Sequence, residues 1–201
     1  MLSLNSVCIN TNKTSLLKDV SISFLPSSIV YVKGKNASGK TSLLRTIAGI
    51  QKPAKGLITL GKNNISIEEF AKPYCTYIGH KIGVKPELTV YENIYFWSQI
   101  YNSAESAMAA IFYFKLQDLI DSKCYELSAG QKQKVALARL MACNSMIWLL
   151  DEVENNLDTE NKELLNNLII SKADSGGIII ISTHHEPSIK SAMTINLKNW
   201  S

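Results

Sequence analysis

The chain has 201 residues, 46% hydrophobic and 19% charged, enough to bury a sizeable core, and reads as one domain with an internal lobe. Its formal net charge is only +4, and Arg45 and Arg139 are the only basic residues with guanidinium forks, so nucleic acid is not an expected partner. Cys8, Cys75, Cys124 and Cys143 form no Cys-x-x-Cys pair, which argues against a zinc site or disulfide framework and for a reduced, cytosolic setting. Met1–Asn5 lacks a leader pattern, and no apolar run approaches the ~18 residues needed to cross a bilayer. Any membrane location is expected to come through a partner.

In chain order, Leu2, Leu4, Val20, Ile22 and Phe24 alternate with polar residues around Asn10–Lys13, which predicts antiparallel strands joined by a polar turn. Ile29–Val32 is a short apolar strand running into a glycine-containing loop. Leu43, Leu44, Ile47 and Ala48 then recur at helical spacing, with Gly49 as the stop. From about 86 to 143 the pattern turns helical, through Ile94, Trp97 and Ile100 and then Ala107, Ile111, Phe114 and Leu116. This predicts a helical lobe inserted in an α/β chain whose core is 1–85 and 144–201. Met146–Leu150 and Gly177–Ile181 are continuously apolar, as parallel strands buried on both faces must be. Leu164, Leu165, Leu168 and Ile169 mark one more helix between them.

Three short segments carry chemistry. Gly34-Lys35-Asn36-Ala37-Ser38-Gly39-Lys40-Thr41, followed by Ser42, fits the phosphate-loop pattern and lies between a strand and a helix. Its amides and the helix N-terminus offer partial positive charge to phosphate oxygens, Lys40 adds a full charge, and the Thr41 hydroxyl can ligate magnesium. Asp151 and Glu152 follow a buried strand and so emerge at its C-terminal edge, where open α/β sheets bind ligands. One carboxylate can hold a magnesium shell while its neighbour orients or deprotonates water. Taken alone, such a pair is more often a solvated turn. The third segment, Leu127-Ser128-Ala129-Gly130-Gln131, opens a helix carrying Val135, Leu137, Ala138 and Leu140, either as a plain cap or as an anion-facing terminus.

Leu127–Gln131 resembles the signature of ATP-binding-cassette (ABC) domains, and the resemblance extends over essentially the whole chain. Asn155-Asn156-Leu157-Asp158 is similar to the D-loop, and His184 to the switch histidine that contacts the γ-phosphate; His185 has no assigned role. The resemblance implies a P-loop NTPase fold: a RecA-like core, an antiparallel β subdomain and an inserted helical lobe. It also implies an ATPase using ATP and Mg²⁺, with Glu152 and His184 catalytic. In such folds the signature serves the phosphate held by a second copy, so Ser128, Ala129, Gly130, Gln131 and Asp158 are expected at a nucleotide buried in a head-to-tail homodimer.

Tyr77–Ile94, Lys40–Arg45 and the signature helix are further similar to the heme-exporter ATP-binding subunits of cytochrome c maturation. That likeness implies permease partners of the heme-exporter type and a peripheral place on the cytoplasmic face of the inner membrane. Tyr91, Tyr95, Phe96, Trp97 and Tyr101 become candidates for contact with the permease. An exporter of another lipid or small molecule, a regulatory ABC protein, and a nucleotide-binding module without turnover remain alternatives; intact Lys40, Asp151 and Glu152 weigh against the last. Three departures stand out. His80 takes the register of the Q-loop glutamine of most ABC domains, while the adjacent Lys81 stands where the heme-exporter subunits often have glutamine; His80 is the third expected metal ligand after Thr41 and Asp151. Val153 replaces a proline, and no aromatic precedes Leu16–Val20 where adenine would stack.

Overall fold

The computed structural model describes residues 1–11, 14–79, 82–103, 105–155 and 157–200, without the side chains of 70, 72 and 73. His80 and Lys81 therefore lie outside the described residues, as does Asn156. The chain divides into two compact units, Met1–Tyr77 with Met146–Glu152 and Ile169–Ser201, and Ile78–Ser145 with Val153–Leu168.

In the first unit, β1 (Leu2–Asn10) and β2 (Ser15–Phe24) pair antiparallel from Leu2 opposite Phe24, as the alternation predicts. β3 (Ser28–Lys33) leads through the phosphate loop into α1 (Lys40–Ile47). β4 (Lys55–Leu60) and β5 (Ile65–Ser66) complete a four-stranded sheet in the order β2-β1-β4-β5. α2 (Ile67–Tyr74), a helix the periodicity does not reveal, precedes β6 (Cys75–Ile78).

β7 (Ile147–Asp151), β8 (Ile178–Thr183) and β9 (Met193–Asn196) join β3 and β6 in a five-stranded sheet ordered β6-β7-β8-β3-β9. The apolar runs of β7 and β8 are buried along their whole length, the reason they carry no alternation. Parallel register decides where the chemistry lies. Lys33 stands level with Thr183, and Asp151 with Ser182, so three strands deliver their following residues to one sheet edge.

The second unit contains α3 (Val90–Ile100), α4 (Ser106–Tyr113) and α5 (Ala129–Cys143), with short 3-10 turns at Gln117–Leu119 and Cys124–Glu126. α6 (Thr159–Asp174) carries the last predicted helical stripe, with Leu165 and Ile169 buried. Thr89 and Glu92 form a reciprocal cap on α3, satisfying amides that the helix leaves unpaired. The buried Asn93 side chain fastens the approach to that helix, accepting from Lys85 N at 2.8 Å and donating to Lys85 O at 3.0 Å. Arg139, buried on α5, donates to Ile82 O at 2.6 Å and lies over the Trp97 ring; burial lowers its pKa to about 10. Among the described residues no helix is long and apolar enough to cross a membrane.

Candidate functional site

Gly34 and Gly39 shape the phosphate loop for different reasons. A Cβ on Gly34 would stand 2.3 Å from Ser38 Oγ and 3.1 Å from Ser38 Cβ, so a side chain there would force Ser38 to shift. Gly39 has φ +98°, the left-handed conformation that caps α1, with Leu17 packed beneath it. Ala37 is also left-handed, at φ 62°, and Ser38 N donates to Lys35 O at 3.1 Å. Lys35, Asn36 and Ala37 are exposed on the outer turn. Ser42 lies in the first turn of α1, its carbonyl accepting from Thr46 Oγ1 at 2.7 Å.

Lys40 is only 5% exposed, and its ammonium donates to the carbonyls of Gly34, at 2.9 Å, and Lys35, at 3.2 Å. The same nitrogen lies 3.5 Å from Glu152 Oε1. That carboxylate oxygen also lies 3.6 Å from His184 Nδ1. Glu152 has φ 55°, and its amide is held by the Ser182 carbonyl and hydroxyl at 3.2 and 3.1 Å.

Asp151, 1% exposed, is surrounded by hydroxyls. Thr41 Oγ1 donates to its Oδ1 at 3.2 Å, Ser182 Oγ donates to the same oxygen, and Tyr77 OH donates to Oδ2 at 3.1 Å. Three hydrogen bonds satisfy a charge that would otherwise be costly to bury. Burial, and after it the Asp151 charge, pushes the Tyr77 phenol up to about 12 although Arg45 pulls the other way. Tyr77 therefore stays protonated and can only donate to Asp151 at neutral pH.

Tyr77 and Ser182 are site residues that motif reading misses. Ser182 left a trace, as the first polar residue after four isoleucines. Tyr77 left none, lying 74 residues from its partner.

A cavity of about 590 Å³ opens at this edge, lined by Lys33, Gly34, Lys35, Asn36, His184 and Glu186 together with Asn196 and Lys198. His184 is exposed there and His185 stacks obliquely on it, with ring centroids 4.0 Å apart. Thr41 Oγ1 and the Asp151 carboxylate make an all-oxygen donor pair, the chemistry magnesium takes when substrate phosphates and water complete its shell. Among the described residues no group of three or more His, Cys, Asp or Glu could hold a metal, so a site supplied mainly by side chains is not formed.

The first unit thus brings together Lys40, Thr41, Asp151, Glu152 and His184. Of the other expected residues, Ser128, Ala129, Gly130, Gln131 and Asp158 lie in the second. Ser128 caps α5, its hydroxyl accepting from Gln131 N at 3.2 Å while Gln131 Oε1 accepts from Ser128 N at 2.8 Å. Ala129 and Gly130 form the first turn, and a Cβ placed on Gly130 would meet open space beyond its own helix backbone. Asp158 caps α6 through Asn161 N at 2.8 Å. Val153, in the position of the expected proline, is buried, and its carbonyl accepts from Gln133 Nε2 at 3.2 Å.

Comparison with known proteins places this site in a family. The model of the ABC transporter family matches residues 17–155. The chain is 58% identical over 197 residues to the cytochrome c biogenesis ATP-binding export protein CcmA of Rickettsia felis, covering 98% of this chain and 100% of that protein. It is 39% identical to the protein of the same name from Wolbachia pipientis, covering 98% and 95%. A Pyrococcus furiosus structure described as an ABC transporter ATP-binding protein superposes with a TM-score of 0.85 at 24% identity, covering 100% of this chain and 98% of that one. A dimeric bacterial ABC transporter cassette gives 0.80 at 22%, covering 92% and 88%. Sequence and fold agree, and the chain belongs to the ABC transporter family as an ATP-hydrolysing, ATP-binding subunit.

Proposed function

We propose that this chain hydrolyses ATP in a head-to-tail dimer to drive a membrane exporter that serves cytochrome c biogenesis. The convergence of Lys40, Thr41, Asp151, Glu152 and His184 at one sheet edge carries the chemistry. The end-to-end likeness to the Rickettsia export proteins supports the pathway. In this reading heme is the cargo and the partners are permease subunits of the heme-exporter type. They would hold the chain on the cytoplasmic face of the inner membrane. The exposed Tyr95 and Phe96 of α3 are candidates for that contact.

The triphosphate lies along residues 34–42, where loop amides and the N-terminus of α1 meet its oxygens and Lys40 adds its charge. Thr41 and Asp151 would hold magnesium, which when bound neutralises charge on the β- and γ-phosphates. Glu152 orients the attacking water and accepts its proton, with the carboxylate placed by the left-handed backbone and by Lys40 and His184. His184, whose Nδ1 lies 3.6 Å from Glu152, would contact the γ-phosphate. A second protomer presents Ser128–Gln131 and Asp158, so its helix α5 adds N-terminal amides to an anion that one copy alone leaves half enclosed.

The test is Glu152→Gln, which keeps the shape and removes the base. Steady-state turnover should vanish while ATP affinity persists and ATP drives dimer formation on a sizing column. Near-normal turnover would remove Glu152 from its role. For the pathway, the chain with its cognate permease should restore c-type cytochromes in a bacterium lacking its own ATP-binding export protein. Failure by a chain that hydrolyses ATP would remove the pathway assignment.

A further inference from the structure

A phosphate loop fixes one end of a nucleotide, and the base at the other end needs a flat apolar face. The first unit offers one from a part of the chain far from Leu16–Val20. The 3-10 turn Leu197–Asn199 follows β9 and runs beside the loop: Leu197 is fully buried, its Cβ 3.7 Å from where a Cβ on Gly34 would stand. Asn196 and Lys198, on either side of it, line the same cavity as Gly34, Lys35 and Asn36.

Trp200 follows this turn and is pinned at both backbone groups. Its amide donates to Leu197 O at 3.0 Å, and its carbonyl accepts from Lys18 N at 2.7 Å. The second bond fastens it to β2 beside Leu17, whose Cγ lies 3.2 Å from the Cβ position of Gly39. Trp200 is thus tied to the first glycine of the loop through Leu197 and to the last through Leu17. Its indole packs partly on the apolar core and is otherwise open. Trp148, the other tryptophan of this unit, is 2% exposed and has Lys172 over its ring, so it offers no such face.

We propose that Trp200 is the platform on which the adenine base of the bound nucleotide stacks, an assignment that rests on the ATP-binding reading above. Indole supplies a large π face, and stacking needs no hydrogen-bond readout of the base. The ligand class is therefore a nucleoside triphosphate, a purine offering the larger stacking face.

The test compares ATP with inorganic tripolyphosphate, which has the phosphates and no base, by calorimetry on the full chain. Trp200→Ala should weaken ATP binding roughly ten- to hundred-fold, the size of one base–aromatic stack, and leave tripolyphosphate affinity unchanged. Trp200→Phe should keep most of the ATP affinity, and ATP should quench tryptophan emission in the wild type but not in Trp200→Phe. Unchanged ATP affinity in Trp200→Ala would overturn the proposal. Equal loss of both ligands would also overturn it, leaving Trp200 a structural residue. A wild-type chain that binds neither ligand would overturn the phosphate-loop assignment, and the platform with it.

Discussion

Tyr77→Phe removes one hydroxyl and keeps the ring. Asp151 then loses the donor to Oδ2 and keeps Thr41 and Ser182 on Oδ1. A hydrogen bond to a charged group contributes ~1.5–3 kcal/mol, but Tyr77 is only half-buried and water can replace part of it, so ~1–2 kcal/mol is expected. For a chain of this size that lowers the melting temperature by about 2–8 °C. The pH dependence has a definite sign. The folded phenol titrates above its ordinary value of 10.0, at about 12, so its contribution is full below pH 10 and is lost as pH rises toward 12. Thermal melts from pH 7 to 11.5 should show the gap between wild type and variant closing at the alkaline end. Because Asp151 would also lose orientation, half-maximal ATPase activity should require several-fold more magnesium, while nucleotide binding in chelator stays unchanged. Equal melting temperatures at pH 7 together with an unchanged magnesium requirement would refute the reasoning.

Two further outcomes follow from the same site. Lys40→Ala deletes the loop's buried cation and should weaken ATP binding and hydrolysis together; unchanged affinity in a titration would contradict the loop's assignment. Ser128→Arg and Lys40→Ala homodimers should each be nearly inactive, yet mixed dimers should recover part of the turnover, because one site then pairs an intact loop with an intact signature. Verified mixed dimers with no recovery would count against the head-to-tail arrangement or show that both sites must fire together.

The legible parts of this protein are those in which chemistry is contiguous. The loop from Gly34 to Thr41 and the pair Asp151–Glu152 each sit on one strand end, and the run of apolar residues before them fixes the strand. What joins them is sheet order, which no local pattern encodes: β8 lies between β7 and β3, bringing Thr41 to Asp151 although 110 residues separate the two. Tyr77 is hidden for this reason, since nothing near it in sequence names Asp151 as its partner. Trp200 is hidden similarly, its proximity to the loop arising from β9 pairing beside β3 and from a backbone bond to Lys18. α2 escapes because eight residues with two glutamates in the first turn give too short a stripe. The signature helix is legible to the residue, but Ser128 and Gln131 are joined in a capping box, a geometry equally at home in a helix with no ligand.

Glu152 combines a left-handed backbone with the one carboxylate assigned to water activation. For a residue with a Cβ that conformation costs about 1 kcal/mol or more, and glycine would relax it. Folding and turnover therefore pull this position in opposite directions. Sequence drift under selection for stability alone would favour glycine here, and the ATPase would be lost first at the position where the fold gains. Stabilising designs for this chain must therefore hold position 152 fixed.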